Sequence, residues 1–107
     1  MKLGLEQALQ QLPGPGGERF VELMQRGSMR VELYAPRGHD PQQPHAQDEL
    51  YFVQRGSGEF VQGATRHRFA AGDCLFVPAG EPHRFEYFSE DFATWVVFWG
   101  PPGGERE

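Results

Sequence analysis

The sequence predicts an all-β domain, a sandwich or a barrel, with one short helix ahead of it. Three observations carry this. Short apolar runs recur at fairly regular spacing along most of the chain. Glycine and proline, 14 and 9 of 107 residues, fall between those runs as turn residues. No segment reads as a helix long enough for the crossover that a parallel sheet needs.

The elements follow in order. Leu3, Leu5, Ala8, Leu9 and Leu12 lie near helical spacing, and Pro13-Gly14-Pro15-Gly16-Gly17 stops the pattern. Residues 1–17 are therefore a helix and linker, and 18–107 the β domain. "RFVELMQ" and "SMRVELYA" flank Arg26-Gly27 and predict a hairpin. In the second run Met29, Val31 and Leu33 alternate with Arg30, Glu32 and Tyr34, which is period two with one face buried. "APRGHDPQQP" is a loop, because proline cannot donate to a central ladder. Then come "ELYFVQ", a turn at Arg55-Gly56-Ser57-Gly58, "EFVQ", a turn at Gln62-Gly63, and "TRHRFA". "CLFVP", the turn "AGEP", "HRFEYF" and the apolar "FATWVVFW" complete the set.

Composition excludes several partners. A net charge of −5 leaves no basic stripe to neutralise nucleic-acid phosphates. It also disfavours an anionic membrane surface, and no apolar run approaches the roughly 20 residues that span a bilayer. The start lacks the apolar core of a secretory signal. A single cysteine excludes an internal disulfide and fits a reducing compartment. The expected location is the cytoplasm.

Candidate chemistry collects at strand ends. His45 precedes "ELYFV", and His83 opens "HRFEY". In a barrel, strands distant in sequence bring their ends to one rim. If Glu49 points inward, so do Tyr51 and Val53. If His83 points inward, so do Phe85 and Tyr87, while Arg84 and Glu86 face water. A buried imidazole needs a partner, either a hydrogen bond in the core or a metal.

Two spaced motifs bear on that choice. Gly38-x4-Gln43-x-His45-x3-Glu49-x6-Gly56 resembles the first motif of the cupin superfamily, commonly written G-x5-H-x-H-x3,4-E-x6-G. Gly72-x5-Pro78-x-Gly80-x2-His83 resembles the second, G-x5-P-x-G-x2-H-x3-N. The two cover residues 38 to 87. The resemblance implies a jelly-roll β-barrel in a small single-domain cupin. It implies a divalent metal held by two histidines and a glutamate of the first motif and the histidine of the second.

The chain departs from that pattern where the first histidine is Gln43 and the spacing before it is one residue short. His45, Glu49 and His83 remain, a two-histidine, one-carboxylate set associated with non-haem iron. Gln43 is a weak oxygen ligand, a residue that orients a bound water, or a loop residue. The second motif's terminal asparagine is Tyr87. His39 reads as a solvated loop residue or a replacement ligand, and His67 as an exposed strand residue. Cys74, beside Leu75 and Phe76, reads as core. Asp48 is a hydrogen-bond acceptor for a metal-bound imidazole or a solvated carboxylate.

Two functions compete. One is a metalloenzyme, dioxygenase- or isomerase-like, holding iron, manganese, zinc or nickel beside a small organic substrate in a pocket with Tyr51, Phe85 and Tyr87. The other is a non-catalytic barrel that captures a small ligand, with a structural metal or none. The last strand is apolar on both faces, Trp95, Val97 and Trp99 against Thr94, Val96 and Phe98. One face lines the barrel, and a second subunit of a homodimer covers the other.

Overall fold

The computed structural model describes residues 1–106, and Glu107, the last residue of the predicted β domain, lies outside them. One helix, α1 (Leu5–Leu9), precedes eight strands. These are β1 (Phe20–Arg26), β2 (Met29–Tyr34), β3 (Asp48–Arg55), β4 (Ser57–Gln62), β5 (Thr65–Ala70), β6 (Cys74–Val77), β7 (His83–Glu86) and β8 (Ala93–Trp99). No helix among the described residues is long and apolar enough to cross a membrane.

The strands form two antiparallel sheets of jelly-roll type, ordered β1-β2-β8-β3-β6 and β5-β4-β7. Their facing sides enclose a core that includes Tyr51, Val53, Phe60, Phe69, Phe85, Phe92, Val96 and Phe98. The aromatic rings meet edge-on or tilted, Tyr51 to Phe85 at 5.0 Å and Phe85 to Phe92 at 4.7 Å between centroids, the offset geometry that ring quadrupoles favour.

Local chemistry explains the course of the chain. The Arg26-Gly27 hairpin forms as predicted, with Gly27 at φ +57°. The predicted turn at 55–58 is different. Only Gly56 separates β3 from β4, and there the chain leaves one sheet for the other rather than folding back on itself. Gly56 has φ +85°, and a Cβ there would stand 2.8 Å from the Phe92 Cα. Glycine is required by both the backbone angle and the neighbour. The helix is shorter than its apolar spacing suggested. It packs on β2, and Ala8 is buried. The Arg55 guanidinium pairs with Glu6.

The direction of β2 decides which of its two alternating faces is inside. Arg30, Glu32 and Tyr34 stand opposite Phe98, Val96 and Thr94 on β8, which face the interior. The polar set therefore points into the barrel. Met29, Val31 and Leu33 lie on the outer face. Alternation shows that two faces differ, but not which one is inside.

Candidate metal centre

His45, Glu49 and His83 come together as predicted. One ligand atom from each lies within 4.8 Å of the others. Glu49 sits on β3 opposite Val77 and Phe98, and both its neighbours in the register point inward. His83 opens β7 in the other sheet. His45 lies in the loop before β3, its ring 4.7 Å from that of Phe98.

The Glu49 carboxylate is the hub. Its Oε1 is 2.7 Å from His83 Nε2 and accepts from the Tyr51 hydroxyl at 2.6 Å. Its Oε2 is 2.9 Å from His45 Nδ1. That last approach is off line for a hydrogen bond, and both buried atoms are without a hydrogen-bond partner. Two unpartnered buried atoms, one imidazole nitrogen and one carboxylate oxygen, are what a metal-ligand pair looks like before the ion is considered. His83 Nδ1 faces the Glu81 carbonyl at 2.8 Å. With Nδ1–H donating there, Nε2 has its lone pair free toward the centre. The donor set, two nitrogens and a carboxylate with no thiolate, suits a divalent transition metal.

The electrostatics agree. Burial alone would raise the Glu49 carboxyl, but its contacts with His45, His83 and Tyr51 outweigh burial and hold it down at about 2. Burial alone would lower the His83 imidazole, but the Glu49 carboxylate and the Glu81 carbonyl raise it. Burial and the nearby Glu49 charge push the Tyr51 phenol well above its ordinary value, so Tyr51 is a neutral donor beside the ligands.

The remaining predicted site residues are Gln43, Tyr87, Tyr51 and Phe85. Gln43 is exposed, and its neighbour Gln42 turns inward instead. Gln42 Nε2 donates to Asp40 at 2.9 Å, which aims its Oε1 at the Tyr51 hydroxyl 3.0 Å away. The short spacing in the first motif is where the resemblance slips by one residue. Tyr87 is 81% exposed with φ +52°. β7 ends at Glu86, and the left-handed residue breaks the alternation that would have carried Tyr87 inward. Tyr51 and Phe85 point inward and are buried; Phe85 and Tyr87 border a second cavity of about 350 Å³ together with His39 and Arg84, and none of the three lines the open cavity beside His45. That cavity, about 340 Å³, is lined by Phe20, Arg30, Glu32, Tyr34, Pro41, Gln42, His45, Val96 and Phe98.

Other residues fall as follows. His39 and His67 are exposed, as expected, and Cys74 is exposed rather than core. Asp48 is buried but serves no imidazole. It accepts from the backbone N–H groups of Ala79 and Glu105, both at 2.9 Å. Sequence reasoning missed Arg30, Glu32 and Tyr34, because alternation along β2 does not say which face is inside, and Gln42, because it lies in a loop without periodicity.

The sequence profile of the cupin domain matches residues 30–99. The chain belongs to the cupin family. It is 40% identical over 85 residues to an uncharacterised protein of Streptomyces coelicolor, covering 78% of this chain and 80% of that one. It is 33% identical over 70 residues to the dimethylsulfoniopropionate lyase DddQ of Ruegeria pomeroyi, covering 64% of this cupin and 35% of the lyase. Acireductone dioxygenase 1 of Pectobacterium atrosepticum is 39% identical over 64 residues, 55% of this cupin and 37% of that enzyme. The match thus spans little more than a third of either enzyme's length. Among solved structures, a cupin 2 conserved barrel domain protein from Salinispora arenicola superposes with a TM-score of 0.71 at 22% identity, over 94% of this cupin and 89% of its own chain. That likeness shows the fold.

Proposed function

We propose that this cupin is a metal-dependent enzyme acting on a small organic substrate held in the cavity beside His45. The observation that carries the reading is the convergence of two imidazoles and one carboxylate in which His45 Nδ1 and Glu49 Oε2 have no hydrogen-bond partner. His45, Glu49 and His83 would hold one divalent ion, iron, manganese, zinc or nickel. When bound, such an ion supplies Lewis-acid polarisation of a substrate oxygen and leaves coordination positions free. The chain's own groups do the rest. Tyr51 keeps a proton beside Glu49, and Gln42 Oε1, fixed by Asp40, offers the same hydroxyl an alternative acceptor at 3.0 Å. Phe98 and Val96 line the cavity with apolar surface. The lyase and dioxygenase among its relatives support a small-molecule substrate and two candidate reaction classes.

One observation favours a second reading, a non-catalytic ligand-binding barrel. Gln43 stands where the family pattern has its first histidine, and it is exposed, so three protein ligands remain. Elemental analysis of the purified protein, followed by turnover assays of the iron- and manganese-loaded forms on a panel of small acids and phenols, separates the two. Near-stoichiometric metal with turnover supports the enzyme. Metal and ligand binding without turnover across the panel supports the barrel. Protein that takes up no metal after incubation with any of the four ions ends both metal readings.

We further propose that the cupin is a cytoplasmic homodimer. The outer face of the five-stranded sheet carries a continuous apolar row, Val31, Val97, Leu50 and Phe76, paired across four strands. An apolar row of this kind, half-buried at Val31, Val97 and Leu50 and exposed at Phe76, is what a second copy covers. Cys74, the single cysteine, has no disulfide partner, which suits a reducing compartment.

A further inference from the structure

We infer that Arg30 anchors the carboxylate of the substrate, so that the cavity selects small organic acids over neutral and cationic molecules. The inference deepens the functional proposal and rests on its choice of the cavity as the substrate site. Its starting point is the inward face of β2. Arg30 and Glu32 project into the barrel interior opposite Phe98 and Val96, where the fold asks for apolar side chains. An inward arginine and glutamate cost solvation.

Arg30 is held like a binding arm. Its guanidinium lies over the Phe98 ring, 4.6 Å from the centroid. Nη2 donates to Gln47 Oε1 at 3.2 Å. Gln47 is itself locked, since its Nε2 donates to the Ser28 and Gly100 carbonyls, both at 2.9 Å. Its oxygen therefore must face Arg30. Nη1 makes one long contact with Glu32 Oε2 at 3.4 Å. Two of the five N–H donors of an arginine are thus used, and three remain for a carboxylate. Arg30 is the one lysine or arginine lining the cavity.

Charge points the same way. Arg30, Glu32, Glu49 and Asp40, which accepts from the cavity residues Tyr34 and Gln42, are the charge-bearing side chains at or behind the cavity. With a divalent ion in place the formal charges of this set cancel, and Arg30 is the positive side chain that lines the cavity for a monoanion. Glu32 limits how much anionic charge the site accepts, and it offers an acceptor to a hydroxyl next to the bound carboxylate.

The test uses ¹⁵N-labelled full-length protein, both Zn²⁺-loaded and chelator-treated, titrated by NMR. The probes are butyrate and hexanoate, each against its amide, with butylamine as the cationic control. Each acid should bind about tenfold tighter than its amide, with shifts at cavity residues, as a charge-assisted fork predicts. Arg30→Gln should reduce that ratio to below about twofold, and Arg30→Lys, which keeps the charge without the fork, should fall between. If Arg30→Gln does not fold, Arg30→Lys decides, and an unchanged ratio overturns the inference. Equal binding of acid and amide in the parent, a preference for butylamine, or an undiminished ratio in Arg30→Gln also overturns it. Should Zn²⁺ fail to bind while the acid preference persists in chelated protein and is lost in Arg30→Gln, Arg30 keeps its role and the metal proposal falls alone.

Discussion

Glu49 and His83 touch across the two sheets, Oε1 to Nε2 at 2.7 Å, from β3 in the five-stranded sheet and β7 in the three-stranded one. An ion held by this pair and His45 would tie the two halves of the barrel together. Metal should therefore stabilise the fold as well as equip the site. At a free ion concentration a hundredfold above Kd the gain is about 2.7 kcal/mol.

His83→Ala should abolish both effects, because it removes one of three ligands and the only one from the second sheet. Calorimetric titration with Zn²⁺ and thermal melts with and without the ion measure them on the same sample. A variant that binds Zn²⁺ as tightly as the parent would place the site elsewhere.

The acid–base behaviour of the pair gives a second expectation. In the metal-free protein Glu49 titrates below its ordinary 4.5, at about 2. Its contribution is present above pH 4.5 and is lost as pH falls toward 2. His83 titrates above its ordinary 6.5. Its contribution is complete below pH 6.5 and is lost as pH rises through the raised value. The pair therefore stabilises the metal-free fold most between pH 4.5 and 6.5. Metal reverses the upper limb, because a bound imidazole must be neutral. The rise in Tm on adding Zn²⁺ should be large near about pH 8 and small near about pH 5. Equal gains at the two values would contradict the assignment of His83 as a ligand.

Gln43 and Gln42 separate what the family pattern suggests from what the fold does. Restoring the family histidine with Gln43→His should leave Zn²⁺ affinity within about twofold of the parent, since position 43 is exposed and an exposed imidazole there gains nothing. Gln42→Ala removes the acceptor 3.0 Å from the Tyr51 hydroxyl and should lower the thermal stability by about 1 kcal/mol. A marked tightening by Gln43→His would show that the loop brings position 43 to the ion after all.

The corner at Gly56 carries the largest predicted backbone effect. Gly56→Ala would set a Cβ 2.5 Å from Ser89 Oγ and 2.8 Å from the Phe92 Cα at φ +85°. Strain of this kind costs about 1–3 kcal/mol, and each kcal/mol lowers the Tm of a domain near this size by about 4–8 °C. Gly72 also has positive φ, +97°, but a Cβ there meets nothing within 4 Å. Gly72→Ala should cost clearly less, and melts of the two variants that coincide would remove the steric part of the argument.

Much of this was legible in the sequence, for particular reasons. Hairpin chemistry at Arg26-Gly27 and the paired glycine-containing motifs located the strands and brought His45, Glu49 and His83 together. Inward alternation also placed Tyr51 and Phe85. The misses share a cause. Periodicity is blind to which face is interior, so Arg30 and Glu32 were not picked out as site residues. It also fails where the backbone leaves the strand, as at Tyr87 with its positive φ. A motif spacing one residue short cannot say whether Gln42 or Gln43 turns in. The hydrogen bond from Gln42 to Asp40 decides that, and it depends on a loop without periodicity.

The outer sheet face sets the last prediction. Phe76 and Phe52 are 50% and 39% exposed, and they stand opposite Leu50 on one side and Trp95 on the other. Phe76 also lies against Trp99, centroids 6.2 Å apart. An interface of standard size buries about 800 Å² per partner, and aromatic residues at its centre carry most of the energy. The cupin should therefore sediment as a dimer at micromolar concentration. Phe76→Asp places a charge at the exposed end of the row, on the edge strand β6, and should shift it to monomer, while Zn²⁺ affinity stays unchanged because position 76 faces away from Glu49. A monomeric parent rules out the homodimer. A dimeric Phe76→Asp protein puts the interface on another surface.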